Sequence, residues 1–235
     1  VESVGATVNP CTLCAPLGAV LATTGIEGAI SLLHGAQGCA TYIRRYLISH
    51  YREPIDVASS SFGESQTVFR GENNLATALD NVTRQYEPQL VTIATTCVAE
   101  TVGEDVPLIL ARYRSSRETR LPVVTAATPS YCDGHVEGFH AMVHSVVRAN
   151  ATEEGDALAQ VNVLPPIVSA ADLRHLREIV EAFGVRAVLV PDYAETLDGG
   201  IAEGYSALPS GGTPLSAIRS MLRSRGTLDL TMTGK

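Results

Sequence analysis

Five cysteines, at positions 11, 14, 39, 97 and 132, are the residues of this chain whose type and placement best suit chemistry. Cys39 ends the stretch His34-Gly35-Ala36-Gln37-Gly38-Cys39, where an apolar run, Ile30-Ser31-Leu32-Leu33, gives way to a helical pattern from Gln37. It therefore falls in the first turn of a helix that follows a strand. The free N–H groups and dipole of a helix N-terminus favour the thiolate, the form that binds iron and other soft metals. The plain alternative is a structural cysteine, a residue type often found buried. An odd count in a chain of this length argues against a disulfide framework and for metal or redox use in a reducing compartment.

The elements that must position these cysteines follow from apolar periodicity. Helical patterns run over Leu17–Ile26, Gln37–Tyr51, Glu72–Tyr86, Asp105–Ser115 and Val136–Ala149; Pro54 closes the second of these. Continuous apolar runs over Ile30–Leu33, Leu90–Thr95 and Pro122–Ala127 read as buried strands, with a short extended piece at Ile55–Ser60. After a polar linker, Ala151-Thr152-Glu153-Glu154-Gly155, the alternation resumes. It gives strand Val161–Leu164, helix Ala170–Phe183, strand Val185–Val190, a Gly-rich loop over 195–212, helix Thr213–Arg225 and strand Leu228–Met232. The fold class is α/β, with consecutive doubly wound parallel-sheet units over residues 1–150 and 151–235. The second unit ends on a strand without its helix, so it reads as incomplete.

In such sheets ligands collect beyond the carboxyl ends of strands. Cys14 lies in a loop before a helix, Cys39 after one strand, and Cys97 and Cys132 each after another. Those four are expected to converge on one edge of the first unit. Dispersed, converging cysteines suit an iron–sulfur cluster better than a zinc knuckle, which takes paired Cys-x-x-Cys ligands. Cys11-Thr12-Leu13-Cys14 has that spacing, but a second pair is missing.

The net charge of −8 argues against nucleic acid as a partner. With 45% hydrophobic and 18% charged residues the chain is globular rather than disordered. No apolar run reaches the roughly 18 residues of a membrane span, and no signal-peptide pattern opens the sequence. The expected location is the cytoplasm. Without further information, two doubly wound units also fit a ligand-binding protein with incidental cysteines.

Several segments carry a resemblance. Asn9-Pro10, Cys14-Ala15-Pro16-Leu17-Gly18-Ala19, His34-Gly35-Ala36-Gln37-Gly38-Cys39, His50-Tyr51-Arg52-Glu53-Pro54 and Thr95-Thr96-Cys97-Val98-Ala99-Glu100-Thr101 resemble the β-type subunit of nitrogenase component 1. The similarity continues in order through Thr128-Pro129-Ser130-Tyr131, Val161–Pro165, Leu197-Asp198-Gly199 and Gly211-Gly212-Thr213. The family's β subunit has three Rossmann-like domains, so the resemblance implies that a third is missing here. It also implies half the ligands of an 8Fe-7S P-cluster shared with a homologous α-type subunit, at Cys14, Cys39 and Cys97. Ser130 matches a serine that ligates the oxidised cluster. Cys132 departs from the pattern and is a candidate to replace or supplement that serine; Cys11 is a second departure.

The implied role is electron relay. An ATP-hydrolysing iron–sulfur reductase delivers electrons to an α2β2 assembly, and the cluster passes them to a catalytic metallocluster in the α-type subunit. No catalytic residue is expected in this chain, and it has no Gly-x-x-x-x-Gly-Lys-Ser/Thr loop, in keeping with nucleotide hydrolysis on the partner. Gly18, Gly35 and Gly38 are expected to let backbone approach the cluster. His34 reads as a turn residue. Tyr42 is a packing or gating side chain, and Glu100 a partner for the basic group Arg44, Arg45, His50 and Arg52. His140 and His144, at helical spacing, read as a solvated face, and Asp192 and the Asp198-Gly199-Gly200 segment as ordinary strand-end loops. The stretch Tyr42–Ile48, with Cys11 and Cys132, makes the sequence look like a nitrogenase-like enzyme. Methylthio-alkane reductase, which cleaves carbon–sulfur bonds, is the leading candidate. The alternatives are a dinitrogen-reducing β subunit and a cofactor-assembly scaffold holding a 4Fe-4S cluster.

Overall fold

The computed structural model describes residues 12–117, 119–151, 160–194, 196–197, 211–221 and, for backbone alone, 227–229. Its first sheet is parallel, in the order β2-β1-β3-β4: β1 Ala29–His34, β2 Val57–Ser59, β3 Leu90–Thr95 and β4 Val123–Ala126. Every residue of β1 and β3 is buried, which is why both read as unbroken apolar runs. They pair without a bulge from Ala29 with Leu90 to His34 with Thr95.

Helices cover both faces. On one side lie α1 (Ala15–Thr24), α2 (Gln37–Tyr51) and α7 (His135–Asn150), packed on Ala29, Leu33, Leu90, Ala94 and Val124. The other side has α4 (Glu72–Tyr86) and α6 (Val106–Arg117) on Ile30, Leu32, Val91 and Ile93. Alternate residues of each strand thus feed separate cores. The bounds of α2, α4 and β3 match the periodicity. Helix α1 starts two residues earlier than expected, because Cys14 adopts extended backbone and Pro16 fits its first turn. Two short helices, α3 (Glu64–Phe69) and α5 (Cys97–Thr101), were not anticipated.

The second sheet is also parallel, ordered β6-β5-β7: β5 Gln160–Leu164, β6 Arg186–Leu189 and β7 Thr227–Asp229. Helix α8 (Ala170–Ala182) starts at a capping box in which Ser169 Oγ accepts the Asp172 N–H, and Gly184 follows it at φ +71°. Helix α9 (Leu215–Arg219) is shorter than the expected Thr213–Arg225 helix: Thr213 and Pro214 have non-helical backbone before it, Ser220 and Met221 lie past its end, and 222–225 are outside the described residues. The sheets share one core, in which Leu33, Ile43, Val163, Leu189 and Tyr193 all take part.

Candidate metal centre

Strand order places the site. After β1 the chain moves outward to β2, then returns to the other side of β1 as β3. The crevice between the carboxyl ends of β1 and β3 is thus the switch point where such sheets take ligands. A cleft of about 560 Å³ lies there, lined by Cys14, Cys39, Cys97 and Ser130 together with Leu13, Leu17, Tyr42, Ile43, Tyr46 and Thr96. Each cysteine sits at the start of a different helix. Cys14 caps α1, Cys39 lies in the first turn of α2 and Cys97 is the first residue of α5. The sequence placed Cys97 in a loop after β3; α5, with only Ala99 buried, carries no periodicity that could have revealed it.

The loop after β4 closes the cleft. Ser130 N–H donates to Cys97 Sγ at 3.3 Å, and Ser130 Oγ accepts the Ala15 N–H at 3.1 Å. Cys132 is exposed and is not among the residues that line the cleft, so three of the four expected cysteines converge. Cys11 and the Asp198-Gly199-Gly200 loop lie outside the described residues.

Electrostatics qualifies the thiolate expectation. Burial pushes the Cys14 and Cys39 thiols above their ordinary range, more than backbone N–H groups pull them down, and neighbouring cysteines add to the rise. Bare thiolates are therefore disfavoured side by side, and a cationic centre would relieve them. Among the described residues, no three Cys, His, Asp or Glu side chains stand close enough to hold a single metal ion. A thiol-rich donor set, with the Ser130 hydroxyl beside it, spread around a roomy, largely apolar cleft suits a polynuclear iron–sulfur group better than one zinc ion.

The glycines divide. A Cβ on Gly38 would meet nothing within 4 Å, which leaves the backbone beside Cys39 open to the cleft. Gly35, at φ +146°, packs on Thr96, where a Cβ would fall 1.8 Å from Oγ1. Gly18 serves α1–α7 packing instead, since its Cβ would meet His135 O at 1.7 Å. Nor does Glu100 pair with the basic group: Thr95 Oγ1 donates to its Oε1 at 2.5 Å. Arg44 Nε donates to the Ile55 carbonyl and its guanidinium pairs with Asp56 at 3.2 Å. His140 and His144 do not share the expected solvated face: His144 is exposed, but His140 Nε2 is buried without a hydrogen-bond partner among the described residues.

Two doubly wound parallel sheets, with a cysteine-lined crevice at the switch point of the first, define the class: an α/β protein with a thiol-rich site at its sheet edge. More narrowly, the chain belongs to the nitrogenase component 1 family. The family model described as "Nitrogenase component 1 type Oxidoreductase" matches residues 14–234. The chain is 35% identical to the nitrogenase molybdenum-iron protein beta chain of Clostridium pasteurianum over 235 residues, 99% of this chain and 50% of that one. It is 34% identical to the nitrogenase iron-molybdenum cofactor biosynthesis protein NifN of Klebsiella pneumoniae over 224 residues, 92% and 49% of the two chains. A solved structure, "Nitrogenase Cp1 at pH 6.5", superposes with a TM-score of 0.85 at 34% identity, covering 88% of this chain and 46% of that one. The chain spans about half the length of the curated relatives it matches.

Proposed function

We propose that this chain is the β-type subunit of a cytoplasmic nitrogenase-like reductase and holds its share of an iron–sulfur P-cluster. The observation that carries this reading is the convergence of Cys14, Cys39 and Cys97 on one cleft at the switch point. Cys14, Cys39 and Cys97 would ligate an 8Fe-7S cluster shared with a homologous α-type subunit in an α2β2 assembly. When bound, that cluster would store and release single electrons on their way from an ATP-hydrolysing iron–sulfur reductase to a metallocluster in the α-type subunit. Ser130, on the cleft, is better placed as the further ligand, through its hydroxyl oxygen, than the exposed Cys132 thiol. The division into domains at residues 150 and 151 is supported by the separate sheets on either side of it.

The chain's own residues perform three tasks. The helix starts at α1, α2 and α5 present sulfur, and their N–H groups offset its charge. Leu13, Leu17 and Ile43 give the cleft an apolar lining, which strengthens electrostatic interactions inside it once a partner covers its mouth. Tyr42 and Tyr46, 62% and 52% exposed and stacked at 6.1 Å, form an aromatic rim against which a partner subunit can seat.

For the reaction we favour reductive cleavage of the carbon–sulfur bond in methylthio-alkanes. The support is that Tyr42, Ile43 and Tyr46, within the stretch that departs from the nitrogenase pattern, border the cleft. Dinitrogen reduction is the second reading, supported by relatives named molybdenum-iron protein beta chains. The relative named as the cofactor biosynthesis protein NifN favours a third reading, a cofactor-assembly scaffold, which would hold a 4Fe-4S cluster; the presence of Cys97 on the cleft speaks for the reductase. The test is an anaerobic assay of the purified complex with its reductase, offered 2-(methylthio)ethanol or dinitrogen, with iron counted on the same sample. Methanethiol without ammonia is the expected result. Ammonia from dinitrogen overturns the substrate assignment, iron without turnover shifts the reading to the scaffold, and an iron-free complex overturns the cluster.

A further inference from the structure

Behind the cysteine cleft lies a buried ionisable pair. His34, the last residue of β1, and Glu104, between α5 and α6, have side chains 0% and 1% exposed, with Nε2 and Oε2 3.3 Å apart. A buried pair of this kind persists only where its remaining polar atoms are also met. Glu104 Oε1 accepts the Gly71 N–H at 2.9 Å. His34 Nδ1 lies 3.1 Å from Ser60 Oγ, and that oxygen accepts the Gly35 N–H at 2.9 Å. The edge of Phe62 packs on the imidazole at 4.8 Å.

A carboxylate only accepts, so the imidazole hydrogen belongs on Nε2. Nδ1 then accepts the Ser60 hydroxyl, and Ser60 accepts from Gly35. The bonds run in one direction, from the Gly35 amide through Ser60 and His34 to Glu104. Gly35 opens the turn to Cys39, whose own N–H reaches Ala36 O at 3.2 Å. The same corner holds the start of α5, for Thr96 N–H donates to His34 O at 3.0 Å and Gly35 packs on the Thr96 side chain.

We propose that His34 and Glu104 are positioning residues of the cysteine cleft. Their buried charge, acting through Ser60, fixes the Gly35–Cys39 turn and, across Thr96, the start of the helix that carries Cys97. This rests on the reading that the cleft holds an iron–sulfur group.

The test uses the complete complex, purified anaerobically, with iron per complex and the midpoint potential from a mediated titration followed by electron paramagnetic resonance. Glu104→Gln keeps the shape but removes one negative charge and offers an amide N–H to Nε2, which drives the imidazole hydrogen to Nδ1 and leaves the Ser60 hydroxyl without its acceptor. The expected result is a midpoint shifted positive with an altered spectrum, because loss of a buried negative charge favours the reduced state. Glu104→Asp, which keeps the charge, is expected to restore the wild-type potential at least in part. Loss of iron from Glu104→Gln with its circular dichroism unchanged also supports positioning. Wild-type iron, potential and spectrum in Glu104→Gln overturn the proposal. Should Glu104→Gln not fold, Ser60→Ala decides: an altered spectrum supports the relay and a wild-type one overturns it. An iron-free wild-type complex overturns both this and the cluster reading, whereas iron-replete variants identical to wild type overturn this one alone.

Discussion

Single side chains divide here into those that face the cleft and those that hold it. Cys14→Ala, Cys39→Ala and Cys97→Ala are each expected to lose the iron of the shared cluster and its share of the visible absorbance, measured by iron assay and absorption spectrum of the complex. Cys132→Ala, at an exposed position off the cleft, is expected to keep both. Behind the cleft, burial pushes the His34 imidazole below its ordinary value of 6.5, against the opposing pull of Glu104 and Glu100. The folded ring therefore stays neutral where the unfolded one takes up a proton. Below about pH 6.5 the unfolded state binds more protons, and stability falls as pH falls. Urea denaturation between about pH 7.5 and about pH 5.5 is expected to show this loss, and His34→Gln to flatten it. The opposite slope would mean that Glu104 keeps the ring charged.

At the scale of elements, α1 and α7 approach closely, their two backbones meeting through glycine. A Cβ on Gly18 would meet His135 O at 1.7 Å, and one on Gly138 would meet Ala15 O at 1.9 Å. Both obstacles are backbone and cannot rotate away. Gly18→Ala is expected to destabilise by about 1–3 kcal/mol or more by urea midpoint, while Gly38→Ala, open on its Cβ side, should stay within about 0.5 kcal/mol. Helices with a buried stripe were legible in the sequence. Ala40, Ile43 and Leu47 mark α2, and Leu75, Leu79 and Val82 mark α4. Helix α3 buries none of its residues and α5 only Ala99, so neither leaves a period to read. The cysteine positions were legible because each follows a strand or opens a helix. That Cys132 would miss the cleft depended on the β4–α7 loop path, and the reach of Glu104 to His34 on tertiary packing; no local spacing encodes either.

Across the whole molecule the two sheets behave as one body. Gly25 O accepts N–H groups from both Asp192, at 3.0 Å, and Thr213, at 2.9 Å, while Thr196 Oγ1 donates to Thr24 O at 3.0 Å. With a shared core as well, the protein is expected to unfold in one cooperative transition, with amides of β1 and β5 showing common protection in hydrogen exchange. Separate transitions would show that the sheets unfold independently. The pairing of β1 with β3 also imposes an order of manufacture. Cys39 and Cys97 both stand past the carboxyl end of that seam, where His34 pairs with Thr95, so they become neighbours only after β3 has been synthesised and has zipped onto β1. On the cluster reading proposed above, metal delivery would wait for a finished fold, and the donor would meet a crevice of waiting thiols rather than a nascent chain. During that interval oxygen would compete with iron for the same sulfur atoms.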